Sequence, residues 1–256
     1  MNIDFHTHAN LSKKINISIE DLEEKMQEAK ASGLTALAIT EHFNATNIIE
    51  LYKALREKYT YEKDYYKIAG MKVFCGLEVD VKENGHFLVI GSRDDILAIA
   101  HLLLPYHDEK NFIPVKHLVS LLADFNVLKI GAHPLRKSTH WHHHEPSVLK
   151  QFDAYDLNGK DLFTDGLDME KRVRTFADEY KIPVVGASDT HQQLQYGSII
   201  NIFPECDTID ELREAIHQGD YETKISQCLD VRVKAANQVK KITKKMRNCQ
   251  LSAFIR

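Results

Sequence analysis

The sequence predicts an α/β fold in which about seven strands close into a barrel surrounded by helices. Strand-like apolar runs alternate with stretches of helical periodicity almost from end to end, a pattern typical of repeated strand–helix units and a parallel sheet. His, Asp and Glu residues directly follow most of these apolar runs. Because a closed barrel brings the carboxyl ends of its strands to one rim, it accounts for both observations.

The elements follow one another from the first residues onward. A strand at residues 3–5 precedes a helix whose start is marked by Ser18 and Asp21, a capping-box pattern, and whose end is marked by Gly33. Further strands are predicted at residues 34–40, 71–75, 87–90, 127–132, 153–157 and 182–187, and further helices at residues 48–55, 95–104, 115–125, 169–180 and 209–216. Too few residues separate the strands at 71–75 and 87–90 for a crossover helix, so we expect a hairpin or another local departure from strict alternation.

An open, doubly wound sheet is the alternative architecture. Its ligand crevice lies at a topological switch point and uses only a few strand ends, whereas six segments of this chain carry candidate ligands. The sequence contains neither GxGxxG nor GxxxxGK[ST], so a dinucleotide or P-loop site has no support. The closed barrel is therefore favoured.

The composition indicates a globular protein with one main domain. Its 256 residues are 43% hydrophobic, which is enough for a substantial core. The four cysteines are scattered and form no CxxC pair, which argues against a disulfide framework and against a thiolate zinc site. No secretory signal precedes the first strand, and the apolar run at residues 96–104 is too short to span a bilayer. We expect a soluble, cytoplasmic protein with no membrane partner.

The charge of the chain is unevenly distributed. Residues 221–256 contain nine Lys and Arg residues against Glu222 and Asp230, a net charge of +7, whereas the whole chain has −4. Ala235, Val239, Ile242 and Met246 form a helical stripe within this segment. We expect residues 1–220 to form the barrel and residues 221–256 to form a basic helical extension packed on it; an arm that contacts nucleic acid is the alternative.

Six short motifs contain the candidate metal ligands. They are His6-Thr7-His8, Glu41-His42, Gly76-Leu77-Glu78, His86, Gly131-Ala132-His133-Pro134 and Ser188-Asp189-Thr190-His191. Histidine offers a neutral nitrogen to a divalent ion, and a carboxylate offers charge and can bridge two ions. The mixture suits a hydrolytic site with more than one metal.

Taken in order, these motifs resemble those of the PHP (polymerase and histidinol phosphatase) superfamily of metal-dependent phosphoesterases. The resemblance covers roughly residues 1–220 and rests on an HxH pair after the first strand, a (D/E)H pair after the second, and GLEV, HFLVIG, GAHP and SDxH segments. Each motif alone has little specificity. The complete set in family order is highly specific.

The resemblance implies a distorted (β/α)7 barrel, similar to a TIM barrel, with two to three divalent ions (Zn, Mn or Fe) at its C-terminal rim. Carried over motif by motif, one ion would be held by His6, His8, Glu78 and Asp189, a second by Glu78, His86 and His133, and a third would involve His42 and His191. Glu78 would bridge the first two ions. A metal-bound hydroxide would attack phosphorus, and the candidate catalytic residues are Glu78, Asp189, His191 and Arg136.

The chain departs from the family pattern after the HxH pair. Family members usually place a further His or Asp there, but residues 9–14 contain no strong ligand. One of His140, His142, His143 and His144 could complete the third site, although exposed loop histidines are the more common outcome. Lys13 and Lys14 could attract an anion, and Arg136 could bind a substrate phosphate or form a salt bridge.

Two functions follow from the resemblance. The first is hydrolysis of a small-molecule phosphate monoester, as in histidinol phosphatase, because about 250 residues leave little beyond the barrel for binding a polymer. The second is a nuclease-like phosphodiesterase acting on nucleotides or single-stranded nucleic acid, in which the basic residues 221–256 would contact the phosphate backbone of the nucleic acid. A non-catalytic metal-binding module is a third alternative.

Overall fold

The computed structural model describes residues 1–10 and 18–254, except for the side chains of residue 244 and residues 247–254. The strands are β1 (Asn2–Thr7), β2 (Ala36–His42), β3 (Tyr61–Glu62), β4 (Tyr65–Ile68), β5 (Met71–Asp80), β6 (His86–Gly91), β7 (Val127–Ala132), β8 (Ala154–Asn158), β9 (Val184–Ala187), β10 (Ile199–Ile202) and β11 (Glu222–Ile225). The α-helices are α1 (Ile19–Ala31), α2 (Ile48–Lys58), α3 (Arg93–Leu102), α4 (Val115–Leu122), α5 (Pro146–Leu149), α6 (Gly159–Asp165), α7 (Asp168–Tyr180), α8 (Ile209–Gln218) and α9 (Leu229–Phe254).

The sheet forms a nearly closed barrel in the order β1-β2-β5-β6-β7-β8-β9, which confirms the predicted α/β barrel. Neighbouring strands are parallel except at β6, which is antiparallel to both β5 and β7. The predicted hairpin between β5 and β6 is therefore confirmed. Because β6 runs backwards, its first residue, His86, lies at the same rim as the ends of the other strands.

The barrel closes where β9 meets β1. Thr7 and Thr190 form an isolated parallel bridge at the rim. Below this bridge, the side chain of the buried Asn201 on β10 links β1 to β9. Its amide Nδ2 donates to Ile3 O at 3.0 Å and to Gly186 O at 2.7 Å, and its Oδ1 accepts from Gly186 N at 2.6 Å. One side chain thus satisfies the backbone of both strands.

Apolar side chains pack on both faces of the barrel strands, inside the barrel and outside it. The interior layer contains alternate residues such as Phe5, Ala38, Phe74 and Leu88, and α8 closes it. The outer layer packs the opposite strand faces against the helices. Serine and threonine capping boxes begin α1 and α8, as the Ser18 pattern predicts for α1.

The C-terminal segment differs from the predicted helical extension in two ways. Residues 222–225 form β11, which pairs with β10, so the helix begins only at Leu229. The buried face of α9 consists of Leu229, Val233 and Ala236, whereas Ile242 and Met246 are 56% and 62% exposed. The predicted stripe was therefore wrong at these two residues, because the buried side chains of α9 lie between Leu229 and Ala236 and the described side chains after them are exposed or half-buried.

None of the helices in the described part of the chain is both long enough and apolar enough to cross a membrane.

Candidate metal centre

Strand alternation brings several candidate ligands to the inside of the barrel. On β2, His42 lies on the same face as the interior residue Ala38, four positions earlier. On β5, Glu78 follows the interior residue Phe74 at the same spacing. His86, on β6, lies directly across from Asp80 on β5. These side chains therefore emerge from the top of the interior layer.

Four other ligand positions depend on irregular backbone. The pairing of β1 with β2 shifts register between Asp4 and Thr7, so both His6 and His8 reach the same cluster although Phe5 also faces inward. His133 and Asp189 have φ values of 32° and 55°. Such values are uncommon outside glycine and cost free energy, and they often occur where a side chain must be aimed at a functional site.

The predicted ligands form three adjacent clusters. In each cluster the potential ligand atoms lie within 4.8 Å of one another. The first cluster is His6, His8 and Asp189, the second is Glu78, His86 and His133, and the third is His8, His42 and His191. The structure thus brings together all eight residues predicted to bind metal. It also places His8 in the third cluster, which the sequence did not indicate.

Glu78 lies at the centre of the three clusters. Its Oε1 is 2.6 Å from His86 Nδ1, 3.3 Å from His133 Nε2 and 3.5 Å from His6 Nε2. Its Oε2 is 2.8 Å from His42 Nδ1 and accepts no hydrogen bond from the described residues although it is buried. A buried carboxylate oxygen surrounded by imidazole nitrogens is a suitable ligand for a cation.

The orientation of the HxH pair also favours a cation. His6 Nδ1 lies 3.0 Å from Asp156 Oδ2, and His8 Nδ1 lies 3.4 Å from Glu41 Oε1. Of the two neutral tautomers, each carboxylate favours the one with the proton on Nδ1, which would make Nε2 the metal-binding atom. The Nε2 atoms of His6 and His8 are 3.2 Å apart and lie 3.9 and 3.5 Å from Asp189 Oδ1. A cation that displaced the protons of the two rings would be held by both Nε2 atoms and by Asp189, so the residues fit a metal.

The charges of the centre are strongly coupled. Burial raises the pKa of Glu78, but the neighbouring histidines His86, His42 and His6 outweigh it and lower the pKa well below the usual value. Burial alone would lower the pKa of His6, yet Glu78 and other carboxylates raise it well above its ordinary value. Glu78 is therefore ionised, and positive charge is stabilised beside it.

Two other histidines remain neutral. Burial lowers the pKa of His191 well below its ordinary value, and the His8 ring, stacked at a centroid distance of 4.0 Å, adds to this effect. Burial and then the charge of Arg136 lower the pKa of His133 to about 3. Both rings are thus unprotonated near neutral pH, which is the form that binds metal.

Arg136 contacts protein acceptors with all three of its nitrogens. Nε donates to Asp161 Oδ1 at 2.6 Å, Nη1 donates to Asp189 Oδ2 at 3.0 Å, and Nη2 donates to Asn158 Oδ1 at 2.9 Å. Of the two roles predicted for Arg136, the salt bridge is the one that the structure contains. The guanidinium therefore orients Asp189, whose other oxygen faces His8 at 3.5 Å.

Several residues that the sequence did not single out hold the centre in place. Asp156, on β8, contacts the His6 ring and accepts a hydrogen bond from the backbone N–H of His133. Thr139 Oγ1 lies 2.9 Å from His133 Nδ1. Asp156 lies on the interior face of the strand predicted at residues 153–157, two residues before the end of β8. That position was the one available sequence signal for its role.

The histidine-rich segment lies elsewhere. His143 Nε2 is 2.5 Å from Glu83 O, and His144 Nε2 is 2.6 Å from Asn84 O, both in the turn between β5 and β6. His140 contacts His143. The hypothesis that one of these rings completes the third cluster was therefore wrong: His8 occupies that position. Lys13 and Lys14, and most of the segment without a strong ligand, lie outside the described residues.

The carboxylate of Glu41 contacts the ring of His8 and not that of His42. Its carboxylate accepts hydrogen bonds from the backbone N–H groups of His42 and Asn10, at 2.9 and 2.7 Å, and faces His8 Nδ1. It therefore orients His8 and the following segment, whereas the ring of His42 faces Glu78.

A small cavity opens beside the second cluster. It has a volume of about 340 Å³ and lies between the β5–β6 hairpin and the loop after His133. Its walls include Asp80, Lys82, Asn84, His86, Glu109, Phe112, Ser138 and Thr139. The cavity is therefore polar, and it adjoins His86.

Family models match most of the chain. The model described as "PHP domain" matches residues 4–159, and the model described as "PHP-associated" matches residues 170–221. No curated protein matches the sequence significantly.

Solved structures share the fold. PsfC from Pseudomonas syringae PB-5123 has a TM-score of 0.79 at 18% identity, over 94% of this chain and 98% of that chain. The lesion-specific endonuclease PfuEndoQ from Pyrococcus furiosus has a TM-score of 0.64 at 20% identity, over 88% of this chain and 57% of that chain. An Endonuclease Q complex with a 27-mer duplex containing an abasic lesion has a TM-score of 0.62 at 18% identity, over 88% of this chain and 58% of that chain.

The PHP domain model covers more than half of the chain, and six of the eight residues in the three clusters lie within the residues that it matches. The chain therefore belongs to the PHP domain family of metal-dependent phosphoesterases and is a hydrolase.

Proposed function

We propose that the protein hydrolyses the phosphate monoester of a small molecule at the rim of the barrel. The observation that carries the proposal is the cavity of about 340 Å³ beside His86. This volume lies at the lower end of the range of small-ligand sites, about 300–1,000 Å³. It accommodates a small polar leaving group next to the metal centre, and histidinol phosphate is one candidate substrate.

The ligand assignment follows the three clusters. We infer that His6, His8, Glu78 and Asp189 hold one ion, that Glu78, His86 and His133 hold a second, and that His8, His42 and His191 hold a third. Bound divalent ions would lower the pKa of a water molecule and offset the charge of the phosphoryl oxygens. Nitrogen and carboxylate ligands of this kind accept Zn, Mn or Fe.

The chain itself supplies orientation and charge. Arg136 fixes Asp189, Asp156 fixes His6, and Thr139 fixes His133 through the contacts described above. Lys160 lies 3.7 Å from Asp189 Oδ2 and its side chain is 41% exposed, so its ammonium can turn toward a phosphate at the rim. We assign the substrate phosphate to Lys160 rather than to Arg136, because the guanidinium is already engaged.

A substrate screen tests the proposal. The metal-reconstituted protein is assayed against phosphomonoesters, nucleotides and short oligonucleotides, with Asp189→Asn as the control. We expect turnover of at least one small monoester and a loss of at least a hundredfold in Asp189→Asn, since this change weakens a metal ligand. Equal turnover by the variant would overturn the site assignment, and metal retention without any turnover would indicate a non-catalytic module.

Hydrolysis of nucleic acid is the second candidate, and the fold similarity to endonuclease Q motivates it. The exposed lysines Lys234, Lys241 and Lys245 on α9 would contact phosphates. Because β11 belongs to the sheet, deleting residues 221–256 would damage the barrel, and replacing these three lysines by glutamine is the cleaner test. Salt-dependent binding of single-stranded DNA that the triple variant lacks would favour this function; no binding at low salt would exclude it.

A further inference from the structure

Lys25 is a buried lysine behind the third cluster. It lies on α1, and its ammonium donates to three backbone carbonyl oxygens: Ala9 O at 2.6 Å, His191 O at 3.1 Å and His8 O at 3.4 Å. An ammonium group has three donors, so the carbonyls account for all of them. Two of the three carbonyls belong to residues of the third cluster itself.

These hydrogen bonds join two segments that are far apart in sequence. His8 and Ala9 follow β1, whereas His191 follows β9. The rings of His8 and His191 stack at a centroid distance of 4.0 Å directly beside the lysine-bound carbonyls. Lys25 is therefore placed to set the distance between two ligands that come from the two edges of the barrel seam.

Glu41 holds the opposite side of the same segment. It accepts a hydrogen bond from the N–H of Asn10 and faces Nδ1 of His8, whereas Lys25 donates hydrogen bonds to the carbonyl oxygens of His8 and Ala9. Both charged side chains are buried. Their opposite charges lie on either side of the chain, which reduces the cost of burying each of them. The peptide groups of residues 8–10 are thus hydrogen-bonded to Lys25 on one side and to Glu41 on the other.

We propose that Lys25 is a positioning residue that ties the His8 segment to the His191 segment and so fixes the geometry of the third cluster. The proposal rests on the ligand assignment in the proposed function. It predicts a selective effect: loss of the ammonium donors weakens binding of the third ion and leaves the ion between Glu78, His86 and His133 bound as before.

Metal binding by Lys25→Met tests the proposal without substrate. Methionine has a similar length and no donors. The protein is dialysed against graded concentrations of free Zn²⁺ or Mn²⁺ and analysed for metal per protein, and urea unfolding in chelator reports its stability. We expect the affinity for one ion to fall by about 10- to 100-fold, the range for partners that orient metal ligands, while at least one other ion keeps its affinity.

Lys30→Met is the matched control, because Lys30 lies on the same helix and is exposed. It should bind metal as the wild type does. If Lys25→Met does not fold, Lys25→Gln, which keeps two donors, is judged by the same criterion.

The proposal is overturned if Lys25→Met binds every ion as the wild type does, if all ions weaken equally, or if the wild type never binds a third ion. Turnover is not part of this measurement. A selective loss of the third ion in a protein that hydrolyses no phosphoester would therefore contradict the proposed function and still support the role of Lys25.

Discussion

Asp156 connects the metal centre to the sheet through one carboxylate. Its Oδ2 contacts Nδ1 of His6 and accepts a hydrogen bond from Asn158 Nδ2 at 3.2 Å, and its Oδ1 accepts a hydrogen bond from the backbone N–H of His133. Two ligands assigned to different ions thus depend on a residue that does not itself belong to any of the three clusters. Residues of this kind fix the tautomer and direction of a histidine, and their substitution typically lowers metal affinity by about 10- to 100-fold.

The first prediction concerns Asp156→Asn. The amide can no longer accept hydrogen bonds with both of its polar atoms, so His6 loses its orientation. We expect metal affinity to fall by about 10- to 100-fold, measured by equilibrium dialysis, with a parallel decrease in kcat. Asp178→Asn, at an exposed position of α7, should change neither quantity. Wild-type metal affinity in Asp156→Asn would contradict the role assigned to this carboxylate.

Lys160→Gln tests the assignment of the substrate phosphate. A hydrogen bond to a charged group contributes about 1.5–3 kcal/mol, and its loss corresponds to at least about a tenfold change in binding. We expect KM for the monoester identified in the screen to rise by about tenfold, with little change in metal content. Lys150→Gln, at an exposed position outside the three clusters, is the control. An unchanged KM would show that Lys160 does not contact the phosphate.

His86 gives the metal-free protein a pH-dependent stability. Burial lowers its pKa, but Glu78 and Asp80 outweigh this and raise it from 6.5 to about 9. The native state therefore holds this proton more tightly than the unfolded state does, and the resulting stability is fully present below pH 6.5 and is lost as the pH rises through about 9. The difference corresponds to about 3 kcal/mol.

This prediction is tested by urea unfolding in chelator between about pH 6 and pH 10. The free energy of unfolding of the wild type should fall relative to that of His86→Gln by about 3 kcal/mol over this range. Titrating groups remote from the metal centre act on both proteins and cancel in the comparison. A constant difference between the two proteins would contradict the pairing of His86 with Glu78 and Asp80.

At the scale of elements, the seam between β1 and β9 determines whether the two edges of the centre meet. Asn201 bridges the seam with its side chain and also accepts from Thr223 Oγ1 on β11 at 3.0 Å. Gly186 has no room for a side chain there, because a Cβ atom would lie 2.8 Å from side-chain atoms of Ile199 and of Thr223. The outer strands β10 and β11 thus support the positions of His6, His8 and Asp189.

We predict that Asn201→Leu destabilises the protein strongly. The change leaves the N–H and C=O of Gly186 and the carbonyl of Ile3 without this partner, and each buried unsatisfied group costs about 1–3 kcal/mol. The free energy of unfolding should fall by about 3 kcal/mol or more, measured by urea denaturation with metal bound. Asn237→Ala, at an exposed position of α9, provides the comparison. A loss below about 1 kcal/mol would show that the seam closes without Asn201.

The elements also show where sequence reasoning succeeds. The hairpin of β5 and β6 was predictable, because the number of intervening residues excludes a crossover helix. The strands β3, β4, β10 and β11 were not predicted, because each spans only two to four residues and gives little periodic signal. Their pairing depends on distant parts of the chain.

At the scale of the whole molecule, the sequence identified the eight residues of the three clusters but not how the clusters share them. The ligands follow strands, so their convergence at one rim followed from barrel geometry. The sharing of His8 depends on the irregular pairing of β1 with β2, and the roles of Lys25 and Asp156 depend on non-local packing. Such contacts leave no local pattern in the sequence.

The central claim is that Glu78 joins the clusters into one metal centre. The direct test is metal analysis of Glu78→Gln beside the wild type, after reconstitution and dialysis under the same conditions. The carboxylate faces His6, His42, His86 and His133. We predict two to three ions per wild-type protein and at most one per Glu78→Gln protein; equal metal content in the two proteins would contradict the account.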